Sequence, residues 1–161
     1  MTRELFILIL SSVAAVLLQF LLINRIGIYD ITADIVLLPI AYISLNFGRF
    51  KGTLFGFFIG LLLDVISGFW GVHALSKTVT GFLLGNFHIE GKSLKNWDRT
   101  QFLQIFTIGL MVHFGIYSAL NYLHIMKSFW EFLFEYVLGQ TLYSLVFAIM
   151  FSLYYWRGKR Y

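Results

Sequence analysis

The sequence predicts an all-α protein, a polytopic membrane helix bundle of about six transmembrane helices, and three observations predict it. Hydrophobic residues make up 59% of the 161 and charged residues only 12%, with a mean hydropathy of +0.80, beyond the apolar share of water-soluble domains. The apolar residues gather into runs close to the roughly 20 residues a spanning helix needs, so the chain has room for five or six spans in one integral-membrane domain, 1–161, and for no soluble domain. Within one run, Gly52, Gly56, Gly60, Asp64 and Gly68 stand on a four-residue ladder. Four residues is just over one helical turn, so the rungs share a stripe without side chains, about 24 Å long, along which another helix comes to backbone contact. In water each such glycine would weaken the helix by roughly 1 kcal/mol against Ala; in a bilayer the stripe is a packing device.

The first span is placed at 5–23. Its apolar run is longer than that of a signal peptide and no small-x-small cleavage site follows, so it is expected to remain as a helix. The second, 31–47, opens beside Asp30, read as a helix cap, and Asp34; Pro39 falls mid-span and is expected to kink it. The third, 53–66, carries the ladder and is short, and Gly68 to Gly71 leaves barely a turn before the fourth, 71–87, so these two form a tight hairpin. Five spans is the alternative if the third is not a separate crossing. The fifth lies at 101–123. The sixth, 129–156, opens on Glu131 and Glu135, acidic side chains suited to a helix N-terminus.

Charge sets the orientation. With the N-terminus cytoplasmic, Arg3, Arg49, Lys51, Lys92, Lys95, Arg99, Arg157, Lys159 and Arg160 lie inside and only Arg25 and Lys127 outside, as the positive-inside rule requires. Both termini are then cytoplasmic, in a multi-pass membrane protein. Trp70, Trp97, Trp130 and Trp156 fall near span ends, where amphipathic rings prefer the headgroup layer. The net charge of +4 belongs to this bias and does not call for nucleic acid.

Four ionisable residues sit in or near the ends of the second, third and fourth spans: Asp34, Asp64, His73 and Lys77. In the orientation above all four share a level in the outer half of the membrane. Lys77 lies about 9 Å below the start of its helix, and Cα–Cβ directions on antiparallel helices leave an Asp64–Lys77 salt bridge across the hairpin geometrically open. Two readings fit. In one, Lys77 snorkels to the interface and Asp64 ends its helix among headgroups. In the other the four form an interhelical polar cluster, which suits a lysine this deep because an unpaired one costs on the order of 3 kcal/mol at mid-bilayer. Asp30 and Asp34, one turn apart, have a spacing open to two metal ligands, but a cap and a place in the cluster account for them. His88, His113 and His124 lie at unrelated depths, and no metal-ligand spacing, nucleophile elbow or phosphate-cradling loop occurs. With no cysteine there is no disulfide, thiolate nucleophile or Cys-ligated metal. These observations point to helix association and away from catalysis, with no cofactor and no metal expected. The loop 88–99 carries Lys92, Lys95, Trp97 and Arg99, suited to anionic lipid before a specific protein partner.

The stretch Gly52-x3-Gly56-Phe57-x2-Gly60-Leu61-x2-Asp64-x3-Gly68-x2-Gly71-x2-Ala74-Leu75, followed by Gly81-Phe82-x2-Gly85, resembles the bacterial rod shape-determining protein MreD family. Asp34 ahead of Pro39, and Arg49 and Lys51 ahead of the ladder, fit the same family. About a third of the chain carries the resemblance; the rest matches in hydropathy alone. It implies a non-catalytic scaffold subunit of the cell-elongation (rod) complex, acting in cell shape and the regulation of peptidoglycan synthesis. Its implied partners are MreC, the actin-like MreB, the polymerase RodA and a class B transpeptidase. The family is in turn similar in fold to the S-components of energy-coupling-factor vitamin transporters, and a vitamin-binding S-component is the alternative function. In the scaffold reading the helix-packing glycines Gly52, Gly56, Gly60, Gly68, Gly71, Gly81 and Gly85 receive the transmembrane helix of MreC, and Leu at Gly56 or Gly60 would release it while leaving insertion intact.

Overall fold

A computed structural model describes residues 2–21, 31–68, 70–122 and 128–157. These are all-helical, in six helices: α1 (Thr2–Leu21), α2 (Leu37–Phe47), α3 (Arg49–Ser67), α4 (Val72–Gly85), α5 (Arg99–Tyr122) and α6 (Phe129–Tyr155), with a short 3-10 turn at Leu94–Asn96. Three are long and apolar enough to cross a membrane: Arg49–Ser67, Arg99–Asn121 and Phe129–Tyr155. The helix that carries the ladder is one of them, since it begins four residues before the expected span.

The two short helices are protected by protein. α2 has 11 residues and α4 has 14, about 16 and 21 Å at 1.5 Å per residue, less than a hydrocarbon core. The α2 side chains Leu37, Ile40, Ala41 and Leu45 are fully buried, and they meet Ile59 and Leu63 of α3, Leu84 of α4 and the inward stripe Phe102, Phe106, Leu110 and Phe114 of α5. Non-helical backbone at membrane depth survives only where protein covers it. That condition holds for the segment before α2, where Ala33, Asp34 and Val36 are buried.

α2 departs from expectation in two respects. The helix starts at Leu37, not at 31, and Pro39 is its third residue. In the first turn a proline removes an N–H that has no intrahelical acceptor anyway, so it fits there without kinking the helix. Asp30, expected to cap this helix, lies outside the described residues.

The glycine ladder is used inside the chain. A Cβ on Gly52 would strike Ser44 Oγ and the Gly81 carbonyl, one on Gly56 the backbone carbonyl of Lys77, and one on Gly60 would lie 2.5 Å from Ala74 Cα. From the other side, a Cβ on Gly81 would strike the Gly52 carbonyl and one on Gly85 would lie 2.5 Å from Arg49 Cα. The seam between α3 and α4 is thus backbone against backbone over its whole length. Gly68 and Gly71 are not part of it: a Cβ on either meets nothing within 4 Å, and their φ values of 73° and 81° show that they shape the turn. The stripe expected to receive a partner's helix is therefore filled by α4, and bulk at Gly56 or Gly60 breaks the hairpin instead of releasing a neighbour.

One end of the bundle is sewn by polar side chains. His88 Nδ1 donates to the Leu45 carbonyl at 2.8 Å, the Leu94 N–H donates to Asn46 Oδ1 at 2.9 Å, and Trp156 Nε1 donates to the Trp97 carbonyl at 2.8 Å. Arg49, Lys51, Lys92, Lys95, Arg99 and Arg157 all belong to this end, hereafter the basic end, because α2, α4 and α6 finish there and α3 and α5 begin there. Gly56→Ala should lower stability by about 1–3 kcal/mol, the usual cost of overpacking, whereas Gly115→Ala on α5, where a Cβ meets nothing within 4 Å, should be neutral or stabilising. Detergent-titration unfolding followed by circular dichroism measures both, and equal effects would exclude the seam as a close contact.

Candidate functional site

Among the described residues, the buried charged side chains Asp34, Asp64 and Lys77 lie at the end opposite the basic end. Lys77, the sixth residue of α4, is 0% exposed, and its Cα–Cβ bond tilts toward the α4 N-terminus. Its ammonium forms an ion pair with the Asp34 carboxylate. His113, on the inward stripe of α5, closes the group: its Nε2 lies 3.1 Å from Asp34 Oδ2 and 3.5 Å from Lys77 Nζ. An acid from the segment before α2, a base from α4 and an imidazole from α5 thus share one point.

The backbone around Asp34 is held just as fully. Its N–H donates to Ser144 Oγ of α6 at 2.9 Å, and its Oδ1 accepts from the Val36 N–H at 3.0 Å, which turns the chain into α2. Gln19 of α1 grips the residues on either side, with Nε2 donating to the Ala33 carbonyl at 2.7 Å and Oε1 accepting from the Ile35 N–H at 3.0 Å. α1, α4, α5 and α6 each bond to this knot, α2 follows directly from it, and α3 reaches it through the seam.

Asp64 has a different task from the one its position suggested. Its Oδ1 accepts from the His73 N–H at 2.9 Å and its Oδ2 from the Ala74 N–H at 2.8 Å, so it caps α4 from across the hairpin. The N-cap residue of α4, Gly71, has no side chain to do so. An acidic group there also meets the positive end of the helix dipole. The Asp64–Lys77 bridge left open by the sequence is not the one formed: among the described residues Lys77 pairs with Asp34. His73 joins the group through rings, lying 4.9 Å from Tyr117, which stacks on His113 at 6.0 Å. The four expected residues do lie at one end of the bundle, with Asp34 and Lys77 in direct contact, His73 adjacent and Asp64 committed to backbone.

His113 is the member that the sequence reading placed apart. Asp34, Lys77 and His113 are separated by 43 and 36 residues, so no local spacing relates them. The usable signal was its place within an apolar span, since an ionisable residue at membrane depth marks a site by default. Of the other histidines, His88 serves the basic end and His124 lies outside the described residues. Among the described residues no group of three or more His, Cys, Asp or Glu is arranged to hold a metal ion.

Beside the cluster lies a cavity of about 460 Å³, lined by Asp34, His73, His113, Tyr117 and Gln140 and closed on its apolar side by Leu63 and Phe114. Gln140 is 2% exposed, and its Oε1 accepts no hydrogen bond among the described residues. It follows directly on a π-helical stretch of α6, Phe132–Gly139, whose wider turn changes which side chains face inward. Gln140, Thr141 and Ser144 are all buried as a result. The Asp34 carboxylate has both oxygens engaged, by the Val36 N–H on one and by Lys77 and His113 on the other, so the cluster as built holds helices together and presents polar edges to the cavity.

Removing one partner of a buried ion pair leaves a charge with no compensation, at a cost of about 3–5 kcal/mol. Lys77→Met and Asp34→Leu should each destabilise by that order, while the double variant should recover a large part of the loss. Unfolding midpoints of the three variants, read as a double-mutant cycle, check the coupling, and strictly additive losses would refute it. Compared with protein-family models, with curated proteins and with solved structures, the chain matches none.

Proposed function

We propose that the chain is a non-catalytic membrane scaffold subunit of the bacterial cell-elongation complex, which binds the transmembrane helix of MreC and through it regulates peptidoglycan synthesis. One observation carries the reading: the residues that resemble the MreD family, Gly52 to Gly85, form a single hairpin closed backbone to backbone, with Asp64 capping the second helix from the first. A device of that kind uses sequence to fix geometry. Because the seam is occupied, the partner in this reading lies on the opposite face of α3. Leu54, Phe58, Leu61 and Val65 are exposed there at spacings of four, three and four residues, the stripe that a second helix packs against. In this proposal the protein sits in the inner membrane with the basic end cytoplasmic, in keeping with the positive-inside rule, and MreB, RodA and the class B transpeptidase assemble around the pair.

Phe58→Ala with Leu61→Ala should reduce co-purification of MreC in mild detergent about tenfold, the scale of losing one anchor of a contact, with little effect on folding. Full capture by a folded double variant would sink the reading. A second reading, an S-component of a vitamin transporter, is favoured by the cavity of about 460 Å³ with its unpaired Gln140 Oε1, a size in the range of small-molecule sites. A stoichiometric vitamin in the purified protein, seen by native mass spectrometry, would put that reading first.

A further inference from the structure

The basic end carries a second recess, an open cleft of about 410 Å³ between the end of α4 and the start of α5. Its polar lining offers the donors of Lys92, Trp97, Gln101 and Gln104, beside Asn86 and His88, which already donate to the Phe82 and Leu45 carbonyls. Two of these have a defined state. The Trp97 ring is 3% exposed, yet its Nε1–H donates to nothing among the described residues. An indole N–H has no acceptor function, so an acceptor must come from a ligand or from water. The Lys92 ammonium lies over the same ring, 5.4 Å from its centroid, so a positive charge stands beside the buried donor and both residues line the cleft. Gln101 stands in the first turn of α5, a helix of 24 residues whose leading N–H groups add positive potential at that point. The nearby acids Glu90 and Asp98 do not line the cleft.

From this arrangement we propose that the cleft binds a phosphate group. Phosphate is acceptor-only and anionic, which matches a lysine, an indole N–H, carboxamide N–H groups and a helix N-terminus gathered at one place. The apolar part of the lining, Phe87, Ile89 and Ile105, lies beside the donors at the level where helices end, so an anionic phospholipid can place its phosphodiester on the donors and its first methylenes on these side chains. A soluble phosphate would use the donors alone. Neither source depends on the scaffold reading.

The test uses the full chain in nanodiscs of phosphatidylcholine with and without phosphatidylglycerol, with inorganic phosphate as the soluble probe. Native mass spectrometry counts the lipid retained, and thermal unfolding in phosphatidylcholine alone confirms that each variant is folded. Wild-type protein should retain phosphatidylglycerol selectively, and Lys92→Gln should reduce that retention about tenfold, the size of one charge-assisted contact. Lys95→Gln, an exposed change outside the cleft, should leave it unaltered. Gln104→Ala, on the exposed side of α5, supplies a second variant with little bearing on folding and should weaken retention in the same direction. Stabilisation by inorganic phosphate in phosphatidylcholine discs, absent in Lys92→Gln, would keep the phosphate site and assign it a soluble ligand. Equal retention by wild type, Lys92→Gln and Gln104→Ala would overturn the proposal, as would equal losses from Lys92→Gln and Lys95→Gln, which would reduce the effect to diffuse surface charge.

Discussion

Lys77 is where the two contacts that organise this bundle meet. Its backbone carbonyl lies against Gly56 in the seam with α3, while its side chain leaves α4 toward Asp34 and His113. Among lipid tails apolar surface does not drive helices together, so packing contact and hydrogen bonding must set their positions. Both contacts here have little tolerance. A Cβ added at Gly52, Gly56 or Gly60 strikes backbone or a buried side chain, and a charge left without its partner in this region is costly. α4 is held from one side by shape and from the other by charge, which fixes its depth and its rotation together. Leu84, near its other end, adds a third point of reference by filling the space over Gly109 of α5.

The irregular backbone of the structure follows from that arrangement. The chain before α2 has no helix to satisfy its N–H and C=O groups, and two side chains from other helices, Gln19 of α1 and Ser144 of α6, do so together with the local Asp34 carboxylate. The same accounting governs the start of α4, where two N–H groups meet Asp64. In water such groups would find solvent, and the side chains that serve them would be dispensable. Here their polar atoms are as much part of the fold as the leucines around them. In the π-helical stretch of α6, Ser118 of α5 donates to the Tyr136 carbonyl at 3.5 Å, so this irregularity too has a partner on a neighbouring helix.

What could be read from the sequence was what repeats locally. The glycine stripe is visible because four-residue spacing is itself the geometry of one helix face, and the hairpin is visible because Gly68 and Gly71 leave barely a turn between two apolar runs. That the stripe faces α4 was not visible, since a bare surface suits any helix and the spacing does not name one. Pro39 was legible as a constraint but not as a position, because the helix start that makes it harmless depends on Asp34 turning the chain at Val36. Asp34, Asp64, His73 and Lys77 could be grouped as polar residues at one level of the apolar runs, although the partner given to Lys77 was Asp64. The pairing of Asp34 and Lys77 with His113 depends on how α2, α4 and α5 cross, and no periodicity carries that.

The regular and irregular parts of the bundle are segregated, and the segregation bears on the proposed scaffold. α3 runs without interruption from Arg49 to Ser67, backed along its inner face by α4, so its outer stripe is presented on regular helix. The departures from α-helix, before α2 and within α6, gather instead around the cavity beside Asp34 and His113. A partner helix lying on α3 would meet a surface set by the seam, and a ligand in the cavity would meet one set by hydrogen bonds to irregular backbone. Lys77 belongs to both surroundings, with its side chain in the cluster and its carbonyl in the seam. A displacement of α4 would move both contacts together, so the position of this one helix ties the packing of the hairpin to the geometry of the cluster.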